Sequence, residues 1–510
     1  MFCTSPGSSK QFYWFLGLFA ILSVGLVNGQ NISSQAEEDE WGILMMQGKR
    51  VGFTHSTSSK RTTDQGLQWI TESHEEMKFK RMGTELSMIT SSKTIENDQG
   101  SVLSFEKKTE GSGMSSTVRG YHAGNELVIL SRGMEQRYPF PQEALGPKAA
   151  DQKARTLPLA VGSKMEMKVF MSDFPQTPAV VKININRKES KEVLGKKLDL
   201  WNATSEMSVL PGIKITVWLD DHSEEIMSLM PFPGIGDMEQ IRTTREEAMK
   251  DLESVEFLTN TFIVPTTPLK NVPKLSKATF RLSTTKNEPL KLWSGGEQIV
   301  SKNGNDSSEI TITVPHYQEA AIPWILPHAA SKELDEYLKP TPFLEAKSQI
   351  IEELARKAVG EEKNPLRAAK KIETFVRQYI HKKDLSVGFA SAEETARSKQ
   401  GDCTEHAVLA AAIGRAVGLP TRVVVGLGYS PVNYSNQGKF SSGMFGFHMW
   451  AEAWLGENQW VTMDAALNGF DVGHIAFAKS SLQEASPEMD LTIPLLQMMG
   501  QLKIDVLSTE

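Results

Sequence analysis

One cysteine lies at the predicted start of a helix, where a reactive thiol could be held. Cys403 follows Gly401-Asp402, and the pair formed by Asp402 and Glu405 has the spacing of a capping box. The positive end of the helix dipole favours a thiolate at Cys403, whereas the two neighbouring carboxylates oppose it. The thiol therefore needs a separate base if it is to act as a nucleophile.

A predicted β-hairpin downstream offers that base. Residues 447–464 contain two aromatic-rich runs separated by a Gly-Glu-Asn turn, which is the pattern of an antiparallel hairpin. If Leu455 pairs with Gln459, His448 becomes the diagonal neighbour of Asp464 on the same face of the hairpin. The carboxylate could then hold one imidazole nitrogen while the other nitrogen faces the thiol.

Cys403, His448 and Asp464 are accordingly predicted to act as nucleophile, base and orienting acid. The thiolate would attack an amide carbonyl, the imidazole would carry the proton to the leaving amine, and the carboxylate would orient the imidazole. The backbone N–H of Cys403 is one predicted oxyanion donor, and Gln400 is a candidate for the second.

The motifs that carry these residues resemble the transglutaminase-like superfamily in its bacterial form. They are Gly-Asp-Cys at a helix start, His-Met-Trp-Ala-Glu, an aspartate that ends a tryptophan-bearing strand, and the connecting sequence 414–424. The resemblance covers about residues 340–475 and implies an α+β fold with a papain-like cysteine enzyme core. It implies no cofactor, and it implies no metal because the calcium sites of the animal enzymes are not evident.

The resemblance also implies a reaction at protein or peptide amide bonds through an acyl group on Cys403. Water and an amine could both accept that acyl group from the same triad. Residues 430–446, just before His448, are rich in Ser, Asn and Gly and are predicted to form a loop that excludes water poorly, which favours hydrolysis over cross-linking. A non-catalytic binding or assembly protein is the alternative from a different functional class.

Other residues near the motifs are interpreted as structural. His406 lies one helical turn after Cys403, and His474 lies on a strand predicted over 472–477. Both are expected to be satisfied core histidines. The hairpin tryptophans are expected to pack in the core rather than form a substrate platform.

The composition is that of an ordinary globular protein and narrows the choice of partners. The chain has 510 residues, 40% of them hydrophobic and 23% charged, with a net charge of 55 − 62 = −7. This mildly acidic balance without a long basic run argues against nucleic acid as a partner. The partner implied by the motifs is a protein or peptide substrate.

Residues 1–29 are predicted to be a secretory signal, because Lys10 precedes an apolar run from Phe12 to Val27. The alternative is an uncleaved anchor. Cleavage would remove Cys3 and leave Cys403 as the single cysteine of an exported chain, which argues for a bacterial periplasm or cell envelope, or for secretion. No membrane span is expected after signal removal.

Three regions are predicted to follow the signal: a large antiparallel β domain over 30–260, a small β domain over 261–330 and a transglutaminase-like catalytic domain over 331–510. In the first, Gly42 to Thr54 is predicted to be one strand. In the last, a helix is predicted from Phe343 to Val359 with Thr341 as its N-cap.

Overall fold

The structure is a computed structural model that describes residues 38–510, apart from gaps at 65, 82, 112–113, 141–142, 233–234, 257–260, 285–289, 291, 305–306, 320–321, 330, 383–389, 432, 436–437, 441–442, 458, 468, 484–497 and 499. The predicted signal at 1–29 lies outside the described residues. The chain divides into two compact units. The first comprises the described residues up to Lys80 with Glu85–Phe232 and Gly236–Val255, and the second comprises Arg81–Thr84, Pro233–Ile235 and Glu256–Glu510.

The first unit is a large antiparallel sheet, as the sequence predicts. Its strands are β1 (Glu38–Met46), β2 (Lys49–Thr63), β3 (Gly66–Arg81), β4 (Thr84–Asn97), β5 (Val102–Gly111), β6 (Met114–Ala123), β7 (Glu126–Ser131), β8 (Met134–Pro139), β9 (Lys164–Val169), β10 (Ala179–Val193), β11 (Lys196–Met207), β12 (Lys214–Leu219), β13 (Glu225–Phe232) and β14 (Gly236–Thr243). Two helices accompany them, α1 (Pro147–Ala154) and α2 (Arg245–Ala248).

The strand order of this sheet is two meanders joined side by side. It runs β8-β7-β6-β5-β4-β3-β2-β1-β14-β13-β12-β11-β10-β9. The junction is the pairing of β1 with β14, in which Ile43 faces Ile241. These two residues and Phe53 are buried in an apolar cluster on one face. Neighbouring residues in sequence, such as Gly42 and Thr54, therefore belong to the other face.

The strand predicted from Gly42 to Thr54 is wrong in one respect, because a turn divides it into β1 and β2. Gln47 and Gly48 both have positive φ, 53° and 74°. This is the backbone of a two-residue hairpin turn whose twist matches that of the flanking strands. Gln47 is an unusual residue for such a position, so the turn is poorly marked in the sequence.

The second unit contains two four-stranded sheets. One has the order β17-β18-β16-β25 and the other β23-β22-β19-β24. The strands of these two sheets are β16 (Lys277–Thr284), β17 (Gln298–Asn303), β18 (Ser307–Thr313), β19 (Thr421–Ser430), β22 (Met444–Gly456), β23 (Gln459–Met463), β24 (His474–Ser480) and β25 (Leu502–Thr509). A small hairpin is formed by β20 (Asn433–Ser435) and β21 (Gly438–Phe440). The short β15 (Val255–Glu256) lies at the boundary of the two units in sequence.

β25 joins regions that the sequence analysis treats as separate domains. It pairs along the edge of β16, with Phe280 opposite Val506 and Leu282 opposite Ile504. Segments from 261–330 and from 331–510 therefore share one sheet. The predicted boundary near residue 331 stays a prediction.

Four helices pack beside the second of these sheets: α3 (Gln349–Val359), α4 (Pro365–Tyr379), α5 (Ala392–Ser398) and α6 (Cys403–Ala416). The last of them, α6, starts at Cys403, where the sequence predicts a helix start. The first is shorter than predicted, because its N-cap is Ser348 and not Thr341. The Thr341 hydroxyl instead accepts a hydrogen bond from the Leu344 N–H at 3.0 Å and caps an isolated turn. No described helix is long and apolar enough to cross a membrane.

Candidate active site

The amino end of α6 holds Cys403 in the way that the sequence predicts. Asp402 Oδ1 accepts the Thr404 N–H at 3.0 Å, and Glu405 Oε2 accepts the Asp402 N–H at 2.8 Å, which completes a capping box. Gly401 makes room for this arrangement, because its φ is +146° and a Cβ there would lie 2.4 Å from the Glu405 side chain. The cysteine is thereby fixed at the first position of a helix whose interior is buried.

Three kinds of interaction set the protonation of the Cys403 thiol. Burial raises its pKa well above the usual value, and the charge of Asp402 raises it further. The Met449 backbone N–H and the Arg81 guanidinium act in the opposite direction. Arg81 Nη2 lies 2.7 Å from Asp402 Oδ2 and offsets part of the charge of that carboxylate. The helix end alone therefore does not produce a thiolate, and a base is required.

Asp402→Asn is expected to speed alkylation of Cys403 by iodoacetamide at pH 7 by about tenfold, since one pKa unit is a tenfold change in thiolate. Asparagine keeps the helix cap but removes the negative charge that raises the thiol pKa. Arg81→Gln should slow the same reaction. The rate of Cys403 labelling in each variant can be followed by intact-mass spectrometry. Glu361→Gln, which changes an exposed glutamate, is the control. An unchanged or slower rate in Asp402→Asn would contradict the electrostatic account.

The hairpin that carries the base has the predicted register. Ala451 pairs with Met463, and Trp454 pairs with Trp460. One detail differs, because Gln459 pairs with Gly456 and not with Leu455. A bulge at the end of β22 absorbs the extra residue, so the alignment of the rest of the hairpin is unchanged.

His448 and Asp464 meet directly, as the register predicts. His448 Nε2 lies 2.8 Å from Asp464 Oδ2, and both side chains are buried. The other carboxylate oxygen, Oδ1, accepts the backbone N–H groups of Ala466 and Leu467 at 2.9 and 3.1 Å. Gly428 leaves space for the imidazole, because a Cβ there would lie 3.0 Å from the ring. The bond to Asp464 leaves His448 Nδ1 as the nitrogen available to the thiol.

Cys403 reaches the same strand through the residue that follows His448, because the Met449 N–H is hydrogen-bonded to the thiol. In the described part of the chain, Cys403 and His448 do not share a hydrogen bond. Such bonds are often long before substrate binds and tighten in the reacting complex.

A comparison with known protein families covers the region that holds this site. Residues 352–465, which contain all three residues, match the model of the Transglutaminase-like superfamily. This part of the chain belongs to the transglutaminase-like superfamily. A Haemophilus influenzae protein described only as uncharacterized is 29% identical over 153 residues, which are 27% of this chain and 41% of that protein. The chain thus spans about two fifths of that relative's length.

Solved structures show weaker similarity to this chain. A provisionally named cysteine protease from Cytophaga hutchinsonii has a TM-score of 0.31 and 14% identity over 45% of this chain and 86% of its own. A β-barrel-like protein of a domain of unknown function from Brucella abortus has a TM-score of 0.29 and 10% identity over 40% of this chain and 96% of its own. These TM-scores are too low to support an argument about function.

A fourth side chain, His474, lies at the triad, although the sequence suggests a purely structural role for it. His474 Nε2 lies 2.9 Å from Asp464 Oδ2, and its Nδ1 lies 3.1 Å from Asp471 Oδ1. Burial alone would lower the pKa of His474, but the bonds to the two carboxylates raise it to about 9. His474 is thus a cation that bonds the same Asp464 oxygen as His448. The sequence signal that was missed is the Asp-Val-Gly-His spacing, which places a carboxylate three residues before the histidine.

Asp464 is ionised because two imidazoles share one of its oxygens. Burial alone would raise the pKa of Asp464, but interactions with His448 and His474 hold it well below its usual range. The same three residues are the described group whose ligand atoms lie within 4.8 Å of one another, close enough for a metal ion. Both Nε2 atoms bond to the same carboxylate oxygen, however, which is the geometry of two hydrogen bonds. We assign no metal here.

The remaining predicted residues have defined places. His406 is buried, and its Nδ1 lies 2.6 Å from the Asp402 carbonyl oxygen. Lys382 Nζ donates to Gln400 Oε1 at 2.9 Å, so that oxygen is engaged. Trp450 is fully buried and lies 5.8 Å from the His448 ring, centroid to centroid. The position of Trp450 agrees with core packing rather than with a substrate platform.

Proposed function

We propose that the transglutaminase-like domain hydrolyses amide bonds in proteins or peptides through an acyl group carried on Cys403. The observation that carries this proposal is the buried bond of 2.8 Å between His448 Nε2 and Asp464 Oδ2. It presents the other imidazole nitrogen on the strand that also contacts the thiol. A base that is held by an acid and lies near a nucleophile is what this chemistry requires, and the bond supports that assignment.

The steps follow from the protonation states of these residues. Because the pKa of Cys403 is raised, its thiol keeps the proton until substrate is bound, and His448 removes it as sulfur attacks the carbonyl carbon. The carbon–nitrogen bond then breaks, and the imidazolium returns the proton to the leaving amine. Asp464 stabilises the imidazolium, and the Cys403 N–H at the helix start can bind the developing oxyanion. Water then attacks the thioester, and its proton restores the thiol.

Hydrolysis is proposed over transfer to an amine because of the segment between β19 and β22. Residues 431–443 include three serines, two asparagines and two glycines but only one phenylalanine and one tyrosine. The predicted loop at 430–446 is shorter in the structure, because β19 extends to Ser430 and β22 begins at Met444. The described part of the segment between them contains the hairpin of β20 and β21. A segment with so few large apolar residues would seal the site poorly against water.

The test is to incubate the purified full chain with a peptide library, a glutamine-containing acyl donor and a fluorescent primary amine. New peptide or carboxylate termini, absent with Cys403→Ala, are expected from hydrolysis. Amine incorporation that is faster than hydrolysis and depends on Cys403 would instead establish a cross-linking acyltransferase. If neither reaction occurs, the binding or assembly alternative stands and the enzymatic proposal fails.

Export is a separate proposal that rests on the apolar run after Lys10. Protein recovered from a periplasmic or extracellular fraction is expected to begin at Gln30 or within a few residues of it. Intact-mass analysis of that fraction measures this directly. Soluble protein that retains Met1 in such a fraction would contradict a cleaved signal.

A further inference from the structure

A cavity of about 150 Å³ lies within the first unit, on the polar face of its sheet. A row of directly paired residues lines it, in which Glu75 faces Thr54, Thr54 faces Gly42 and Gly42 faces Arg242. Residues 170–173 also line the cavity. Directly paired residues share one face of a sheet, so their side chains enter the same space. A cavity of this volume can hold a ligand of about six heavy atoms.

The lining carries more acidic than basic groups: four carboxyls and two cations, namely Glu40, Glu75, Asp173, Glu225, Lys107 and Arg242. Two of the carboxyls are neutralised. Arg242 Nη2 donates to Glu40 Oε1 at 2.5 Å, and Lys107 donates to Asp173. Burial lowers the pKa of the lining His74, so this imidazole adds no positive charge that offsets the carboxyls.

Glu75 and Glu225 have no cationic partner within hydrogen-bond distance among the described residues. Burial raises the pKa of Glu75 to about 8 and that of Glu225 to about 7. Both oxygens of Glu225 are buried without a hydrogen bond of normal geometry, although the nearby Ser228 hydroxyl lowers the pKa of that carboxyl. The buried oxygens of Glu225 cost stability while they have no partner, so a purely structural interior would not favour this carboxyl.

The chemistry of the lining indicates the class of ligand. An ammonium group has three N–H donors, and carboxylate and hydroxyl oxygens are acceptors for them. The hydroxyls of Ser56, Ser73 and Ser92 line the same cavity. A metal ion fits the cavity less well. Among the described residues, the group of three ligand atoms close enough to hold a metal ion is the one at His448, and it does not lie in this cavity.

We propose that this cavity is a binding site for a small organic cation held through an ammonium group, with Glu75 and Glu225 as the carboxyls that give up their protons and become its counter-charges when it binds. The proposal concerns the first unit alone and does not depend on the proposed enzymatic activity. It gives the large sheet a recognition role that sequence patterns do not mark.

The first experiment compares three probes of equal length on the unmodified full chain by isothermal titration calorimetry. n-Butylammonium is expected to bind, whereas n-butanol and butyrate are expected to bind at least tenfold more weakly. Equal binding of n-butanol would show that charge is not recognised, and preferred binding of butyrate would overturn the proposal. Binding of CaCl2 or MgCl2 in place of n-butylammonium, lost in Glu75→Gln, would replace the organic cation with a metal ion.

The second experiment changes the counter-charges. Glu75→Gln and Glu225→Gln keep the side-chain size and should each weaken n-butylammonium binding about tenfold or more. Glu225→Gln removes a buried carboxyl without a partner, and Glu75→Gln removes a carboxyl without a cationic partner. The thermal midpoint of the first unit should therefore stay equal or rise, so a loss of binding is not a loss of fold. Glu192→Gln removes an exposed carboxylate of the same unit and should leave binding unchanged. Wild-type affinity in both cavity variants would falsify the site.

Discussion

Asp464→Asn is expected to lower kcat/KM for the Cys403-dependent reaction by about 10³- to 10⁴-fold without unfolding the second unit. The carboxylate now accepts a bond from His448 Nε2 at 2.8 Å and leaves Nδ1 free of a proton to act as the base. An asparagine has no charge to stabilise the imidazolium, and its amide can impose the wrong tautomer. Steady-state kinetics on a peptide cleaved by the wild type, with circular dichroism as a check of fold, measure the effect.

His474→Gln provides the matched comparison for this prediction. Glutamine retains N–H donors for Asp464 but removes the positive charge, so a loss of about tenfold is expected. A fall as large as that of Asp464→Asn would mean that the charge of His474 is as important as the carboxylate. Full activity in Asp464→Asn would contradict the triad itself.

Glu452→Ala is expected to lower the free energy of unfolding of the second unit by about 3–5 kcal/mol. Glu452 is 2% exposed and binds two cations, Arg422 Nη2 at 2.7 Å and Lys479 Nζ at 2.8 Å. Its removal would leave both buried cations next to each other without the carboxylate that bonds them. Denaturant dependence of hydrogen exchange in peptides from β19 and β22 reports on this unit separately from the first.

An exposed ion pair provides the control for Glu452. Glu393→Ala removes the partner of Arg397, a pair whose side chains are 30% and 66% exposed, and should change stability by less than about 1 kcal/mol. Glu452→Gln should lie between the two, because it keeps hydrogen-bonding oxygen but loses the charge. Similar stabilities for Glu452→Ala and Glu393→Ala would show that the buried network contributes little.

Local chemistry explains which parts of the site could be predicted from sequence. The cap at Asp402 is a contact between residues three apart, and the hairpin register follows from one short turn. Both signals lie within a few residues, so the position of Cys403 and the contact of His448 with Asp464 could be derived from the sequence, with the family resemblance as added support. The catalytic roles themselves stay predictions.

Features formed by distant segments were not predictable in this way. The bond from His474 to Asp464 depends on β24 lying next to β19, and nothing in a strand's own sequence specifies that neighbour. The network at Glu452 draws on three strands, and the acidic cavity of the first unit is assembled from strands far apart in sequence. Alternating polar residues on a strand are expected both for a solvent-exposed face and for a polar cavity, so the pattern does not distinguish the two.

The pairing of β16 with β25 also affects the order in which the protein can fold during synthesis. Residues 284 and 502 are separated by 218 positions (502 − 284 = 218). At typical rates of translation this interval lasts about 10–40 s, during which one edge of β16 has no partner. Most strands of the first unit, in contrast, pair with the strand made just before them. An open strand edge invites pairing with other chains, so the second unit is expected to need protection of this edge during synthesis.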